Sequence, residues 1–253
     1  MKHPNGKIIQ LDKKYHRYFV PGEKHNFTSV TSLLKKFFPK FEKKEVAKKY
    51  AKKHGLDWKD VEQGWTKLGK EAAKRGNKYH KFSEKVYEKY VQGKYEDTVS
   101  GFGSDKIENR MEKVLLNLFT KFRPLPPETV IGSFTFQLAG SVDLLMLSSY
   151  FSKEKNSLLI ADWKFVKEIK ETNMWERCNY PIQHFDNCNY WQYVLQLNLY
   201  SYLIKREKYF QNYTNYILKI FHVTEDNIVE IEVPDCQQDV RNMLIEWERN
   251  KNA

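Results

Sequence analysis

Cysteine is nearly missing from this 253-residue chain, which has three: Cys178, Cys188 and Cys236. No two of them form a CxxC pair, and no Cys/His group has zinc-finger spacing, so a zinc module and a disulfide framework are both excluded as organising features. Long apolar runs are also absent. No stretch approaches the roughly 18 residues that a membrane span needs. The first ten residues, Met1 to Gln10, are polar and lack the apolar segment of a secretory leader. Glycine and alanine are scarce, there is no internal repeat, and there is no low-complexity tract. The expectation from these absences is a soluble, intracellular protein without a membrane partner.

Acidic residues are in deficit as well. Lys and Arg number 43 against 32 Asp and Glu, a formal net charge of +11. That balance favours an anionic partner, nucleic acid being the commonest. An AT-rich genome accounts for abundant Lys, Asn, Tyr and Phe equally well, so lysine number alone does not identify the partner. What the chain does have is a core: 41% of its residues are hydrophobic and 15% aromatic. Its length fits one large domain or a core with an added lobe.

The pattern along the chain is helical first. Residues 7 to 20 read as a short hairpin or extended arm. Residues 27 to 34 begin β-rich and turn helical, with Ser29 or Thr31 as N-cap. Between Lys35 and Lys53 stand nine lysines and two glutamates, interleaved with Phe37, Phe41 and Tyr50. Helical spacing puts much of that charge on one face, which is either a solvated surface or a phosphate-tracking one. Residues 56 to 65 suggest a short helix capped by Asp57, and 68 to 91 a longer one. Residues 92 to 104 read as a glycine-containing loop, and 105 to 122 as an amphipathic helix ended by Pro124, Pro126 and Pro127.

Strands then take over. Residues 130–136, 140–147 and 158–165 are short apolar runs, with a polar hairpin loop at 148–157. An irregular stretch at 167–189 leads to a helix at 190–206, strands at 213–222 and 228–233, and a closing helix at 235–249. The order implies an α/β protein with a central mixed β-sheet flanked by helices. The organisation expected is an N-terminal arm and basic helical region, residues 1–67, packed on a core of residues 68–253.

Two of the apolar strands carry charges. In Leu158-Leu159-Ile160-Ala161-Asp162-Trp163-Lys164 both faces are otherwise apolar, so the strand belongs in the middle of the sheet. Asp162 and Lys164 are two apart and share a face. Such charges are costly unless paired or bound to a cation. Asp143 interrupts Gly140-Ser141-Val142-Asp143-Leu144-Leu145 in the same way. If the two strands are hairpin neighbours, two aspartates and a lysine meet. A buried ion pair with no chemical duty is one reading. Crowded carboxylates that a divalent cation relieves are the other, with oxygen ligands favouring Mg²⁺ or Mn²⁺ over zinc.

Here the sequence resembles a family. Gly140-x-x-Asp143 followed by Asp162-x-Lys164 is similar to the PD-(D/E)xK nuclease superfamily, although Val142 stands where the superfamily's proline would be. Gln196-x-x-x-Tyr200 resembles the additional motif of the RecB-like exonuclease branch. Gly76-x-x-x-His80 resembles that branch's upstream helix. Ser29-Val30-Thr31 is similar to the N-termini of phage, viral and mitochondrial genome-maintenance exonucleases. The motifs appear in the family's order over residues 27 to 205.

The resemblance implies a restriction-endonuclease-like core with an N-terminal helical extension. It also implies a Mg²⁺- or Mn²⁺-dependent deoxyribonuclease, most simply an exonuclease on single-stranded or frayed DNA ends in replication, recombination or repair. Asp143, Asp162, His80 and the backbone carbonyl of Trp163 would hold the metal, and Lys164 would act on the water or the developing charge. Gln196 and Tyr200 would position the strand or brace Lys164. Glu84, one turn beyond His80, could hydrogen-bond water at such a site. Lys35, Lys36, Lys43, Lys44 and Lys48 are the candidate DNA-binding residues. Some RecB-like members hold an iron–sulfur cluster with four cysteines, and three cysteines do not supply one. An inactive nucleic-acid-binding module and an RNA-cutting enzyme remain alternatives on the same scaffold.

Overall fold

The computed structural model describes residues 1–24, 26–93, 103–148 and 155–251. The expected loop at 92–104 and the expected hairpin loop at 148–157 therefore fall largely outside the described residues.

The N-terminal arm is a hairpin of β1 (Gln10–Asp12) and β2 (Arg17–Phe19), followed by β3 (Asn26–Ser29). Chain direction then changes at Ser29. Its hydroxyl accepts the backbone N–H of Ser32 at 3.0 Å and starts helix α1 (Val30–Phe37). The lysine-rich stretch is not one helix. Pro39 disfavours helical geometry at Phe38, which is extended, and a second helix, α2 (Lys43–His54), begins after the break.

The two helices expected at 56–65 and 68–91 are one. Asp57 caps α3 (Trp58–Val91), which runs for 34 residues. Nothing between its ends removes a backbone N–H, because there is no proline, and the glycines within it weaken a helix without breaking it. This helix runs unbroken across the expected division at residues 67 and 68. Its second half buries Tyr79, Phe82 and Val86, while its first half packs on α2. Asp105 caps α4 (Lys106–Lys121) through the N–H groups of Ile107 and Glu108. The chain leaves α4 directly into a strand, β4 (Phe122–Pro124), with Pro124 on the sheet's edge.

The remaining strands are β5 (Thr129–Ser133), β6 (Leu138–Val142), β7 (Leu144–Ser148), β8 (Ser157–Lys164), β9 (Asn215–Val223) and β10 (Ile228–Glu232). Helix α5 (Asn189–Arg206) lies between β8 and β9, and α6 (Gln237–Lys251) closes the chain. The single central sheet expected from the sequence is two mixed sheets, ordered β1-β2-β3-β6-β5 and β10-β9-β8-β7-β4. The run 138–148 is interrupted at Asp143. Its first half pairs with β3 and β5, and its second half with β4 and β8.

Period-2 alternation divides the second sheet cleanly. Leu145, Leu147, Leu158, Ile160 and Ile220 face a core built with α1, α5 and α6. Leu144, Met146, Leu159, Ala161, Trp163 and Phe221 face a core built with α3 and α4. Both faces of β8 are therefore covered, and β8 is the central strand, parallel to β9 and antiparallel to β7. A smaller core of Ile9, Tyr18, Val20, Phe27 and Ala139 fixes the N-terminal hairpin. Among the described residues no helix is long and apolar enough to cross a membrane.

Candidate metal and phosphodiester site

Strand register assembles the charged residues. Leu144 pairs with Ala161 in the antiparallel β7–β8 ladder, so Asp143 stands beside Asp162 at the ladder's end. Asp143 is at the bend between β6 and β7, where its carboxylate turns to accept the backbone N–H of Trp163 at 3.0 Å. Asp162 and Lys164 share the parity of Leu158 and Ile160, and so face α5. Trp163 points the other way, is 2% exposed and packs on Phe221 at 4.8 Å between ring centroids.

Lys164 Nζ is an ion-pair partner of Asp162 at 2.6 Å. It also donates to Gln196 Oε1 at 3.3 Å, while Gln196 Nε2 donates to Asp162 Oδ1 at 3.4 Å. One amide thus binds both members of the pair. Tyr200, one turn along α5, bonds to Gln196. A Cβ built on Gly140 would lie 2.7 Å from the Tyr200 ring, so only glycine lets that ring rest on β6. The Gly140–Asp143 and Gln196–Tyr200 spacings are thereby one packing arrangement. The polar stripe expected on α5 included Gln192, which is exposed and does not line the site. Tyr193 instead packs against Lys164 from outside the cavity lining, with its ring centroid 4.4 Å from Nζ.

His80 comes from α3. Its ring meets Phe165 edge-on at 5.4 Å, and Nδ1 lies 3.5 Å from Asp143 Oδ2 and 3.6 Å from Glu128 Oε1. Ligand atoms of His80, Glu128 and Asp143 all fall within 4.8 Å of one another, the one such His/Cys/Asp/Glu set among the described residues. The set expected from the sequence was His80, Asp143, Asp162 and the Trp163 carbonyl. The close set shares His80 and Asp143 with it and adds Glu128, while Asp162 lines the same cavity paired with Lys164. Glu128 was not singled out in the sequence because it follows Pro126 and Pro127 in a turn, with no periodicity to mark it. Its φ of 56° is left-handed, which is costly for a residue other than glycine and is a signal that only the structure supplies.

Electrostatics match this geometry. Burial raises the pKa of Asp143 well above the ordinary carboxylate value, and the Asp162 and Glu128 carboxylates push it further; Lys164 and the Trp163 N–H only partly offset them. Burial alone would lower the pKa of Lys164, but Asp162 and Asp143 outweigh it and hold the ammonium form. Burial also raises the pKa of Tyr200, keeping it a neutral phenol. The centre therefore holds more carboxylate than its one lysine satisfies. One imidazole nitrogen and two carboxylates form a donor set able to hold a divalent cation.

These groups line a cavity of about 460 Å³. Its other walls are the N-terminal hairpin with Lys13 and Tyr18, the first turn of α1 at Ser29–Thr31, and α3 at Asn77, Lys81 and Glu84. Glu84 lies 3.9 Å from Lys13 and is not in the close ligand set. None of Lys35, Lys36, Lys43, Lys44 and Lys48 lines the cavity. Lys36 rests over Trp247 at 4.1 Å, Lys44 and Lys48 lie over Trp58, and Lys43 bonds to Thr66. Of the interleaved aromatics, Phe37 is core, whereas Phe41 and Tyr50 are exposed beside Trp65. No protein-family model and no characterised protein matches this chain.

Proposed function

We propose that this chain is a Mg²⁺- or Mn²⁺-dependent nuclease of the PD-(D/E)xK type, with a restriction-endonuclease-like core and a motif plan similar to that of the RecB-like exonucleases. The observation that carries the reading is the β7–β8 ladder end. It sets Asp143 beside Asp162 and holds Lys164 at 2.6 Å from Asp162, in a cavity that also receives His80. A purely structural ion pair needs no second carboxylate, no histidine and no open cavity.

His80, Glu128 and Asp143 would hold a divalent cation, with Asp162 and the Trp163 carbonyl bordering it. Such a cation supplies charge neutralisation at a phosphate and a lower pKa for water. The protein's own groups do the rest. Lys164, kept as ammonium by Asp162, stabilises negative charge growing on the scissile phosphate or orients the attacking water. Gln196 fixes the Lys164–Asp162 pair, and Tyr200 fixes Gln196, so the ammonium is placed before substrate arrives. The substrate proposed is DNA with single-stranded or frayed ends, cut as an exonuclease in replication, recombination or repair. Lys35, Lys36, Lys43, Lys44 and Lys48 add long-range attraction for the polyanion rather than contacts at the cut.

The test uses linear DNA labelled at either end, circular single-stranded DNA and RNA, each with Mg²⁺ or Mn²⁺. Linear DNA should be degraded by the wild type and spared by Asp162→Asn and Lys164→Ala. Equal inertness of all three proteins sinks the enzyme reading. Circular DNA cut as fast as linear DNA sinks the exonuclease assignment, and a preference for RNA sinks the DNA assignment.

A further inference from the structure

A second groove, about 650 Å³, runs along α3 beyond the candidate site. It shares Lys81 with the first cavity, so the two adjoin along one helix. From Lys81 the groove continues past Lys85 to Lys89. These three are four residues apart, which puts them on one face at roughly 6 Å steps along the axis. The floor between them is apolar and closed, with Phe82 6% and Val86 1% exposed.

Acidic groups on this rim do not cancel Lys81 and Lys85. Glu108 is bound by Lys78 at 3.3 Å and by Ser104 at 2.7 Å. Asp105 is bound by the same lysine at 2.6 Å. Lys78 is thus spent on α4, and Glu88 is the remaining carboxylate along the groove among the described residues. Lys81 and Lys85 are exposed and have no acidic partner within 4 Å among the described residues. A row of ammonium groups that begins at the site and leads away from it is complementary to a polyphosphate chain.

We propose that the groove along Lys81, Lys85 and Lys89 carries the sugar-phosphate backbone of the single strand whose end occupies the candidate site. The occupant rests on the nuclease reading; the surface itself can be tested without any cleavage. The strand crosses from the cavity at Lys81 and follows α3 for about two turns. Contact is made to phosphates, so it is independent of base sequence.

Binding is measured by fluorescence anisotropy in EDTA, with labelled single strands of 4 and 20 nucleotides at several salt concentrations. Wild-type affinity should rise with strand length. Lys85→Glu with Lys89→Glu should lose about tenfold on the longer strand and less on the shorter. The slope of log affinity against log salt should shrink by about 1.4, two contacts at roughly 0.7 each for single strands. A milder pair, Lys85→Gln with Lys89→Gln, should show the same order with a smaller loss, and circular dichroism checks that each variant is folded. The control is Lys44→Glu with Lys48→Glu, the same charge change on α2. An equal loss in that control overturns the proposal, since binding then follows net charge. So do an unchanged affinity in both Lys85/Lys89 variants, a wild type that binds no strand, and polyglutamate competing as well as DNA of equal charge. If the groove variants lose binding but the wild type cleaves nothing with Mg²⁺ or Mn²⁺, the groove stands and the nuclease reading falls.

Discussion

In the proposed function Glu128 and Lys164 divide two duties that a charge count would merge. Glu128 is held at a left-handed φ with its carboxylate 3.6 Å from His80 Nδ1. Glu128→Gln should weaken Mn²⁺ binding about tenfold in isothermal titration calorimetry while the fold survives, and an unchanged affinity removes Glu128 from the ligand set. Lys164→Ala should leave Mn²⁺ bound and abolish turnover. Asp143 adds a pH dependence. Its folded pKa is raised chiefly by burial, so without a cation it is protonated further up the pH scale than in the unfolded chain, and the fold loses its contribution as pH rises through that folded value. A cation needs the carboxylate form, so Mn²⁺ affinity should climb with pH across the same range, with proton release seen as a buffer-dependent heat; a flat profile contradicts the assignment.

Gly140 belongs at this scale too. Gly140→Ala would press a methyl group to 2.7 Å from Tyr200. The expected cost is about 1–3 kcal/mol in urea unfolding, together with lower activity because Gln196 moves with the ring. Equal stability and activity would show that Tyr200 yields without disturbing the site.

Among the elements, β7 and β8 were the most legible in the sequence. A lone charge in an apolar run is conspicuous, and a two-residue spacing decides which face it takes. His80, Gln196 and Tyr200 were legible only through motif resemblance, since four-residue spacing suits core and site alike. Other features could not be read locally. Asp143 separates two sheets because its two flanks pair with different strands, a long-range property. Residues 56–91 looked like two helices because glycine lowers propensity, but tertiary packing and an unbroken N–H ladder joined them. Gly64 and Gly69 lie exposed within α3, and a Cβ at either meets nothing within 4 Å. Gly64→Ala and Gly69→Ala should each stabilise the protein by up to about 1 kcal/mol, read as a higher Tm. A lower Tm would mean that the outer half of α3 needs those glycines for contacts of another kind.

For the molecule as a whole, the three cysteines report on one layer. Cys178 and Cys236 belong to the core with α1, α5 and α6, and Cys188 stands buried just before α5. Burial pushes the thiols of Cys178 and Cys236 up to about 12. Folded protein at pH 8 should therefore resist iodoacetamide, and labelling should follow the opening of that layer. The sign for stability follows from the raised values. The thiols' contribution is complete below the unfolded thiol range and is lost as pH climbs from about 9 towards 12, so urea midpoints should fall there. Fast labelling in the native state would place the thiols at the surface.

The pairing of β7 with β8 has one more result, which concerns covalent connection. His80, Glu128 and Asp143 all precede residue 149, and Asp162, Lys164, Gln196 and Tyr200 all follow residue 154. The carboxylate–imidazole cluster and the lysine with its supports are thus written on two consecutive stretches that meet through the β7–β8 ladder and through α5 seated on β5. Neither stretch holds a complete centre. Supplied as two polypeptides, 1–148 and 155–251, the protein would be an obligate split pair in which any activity on DNA is a direct count of reassembled molecules.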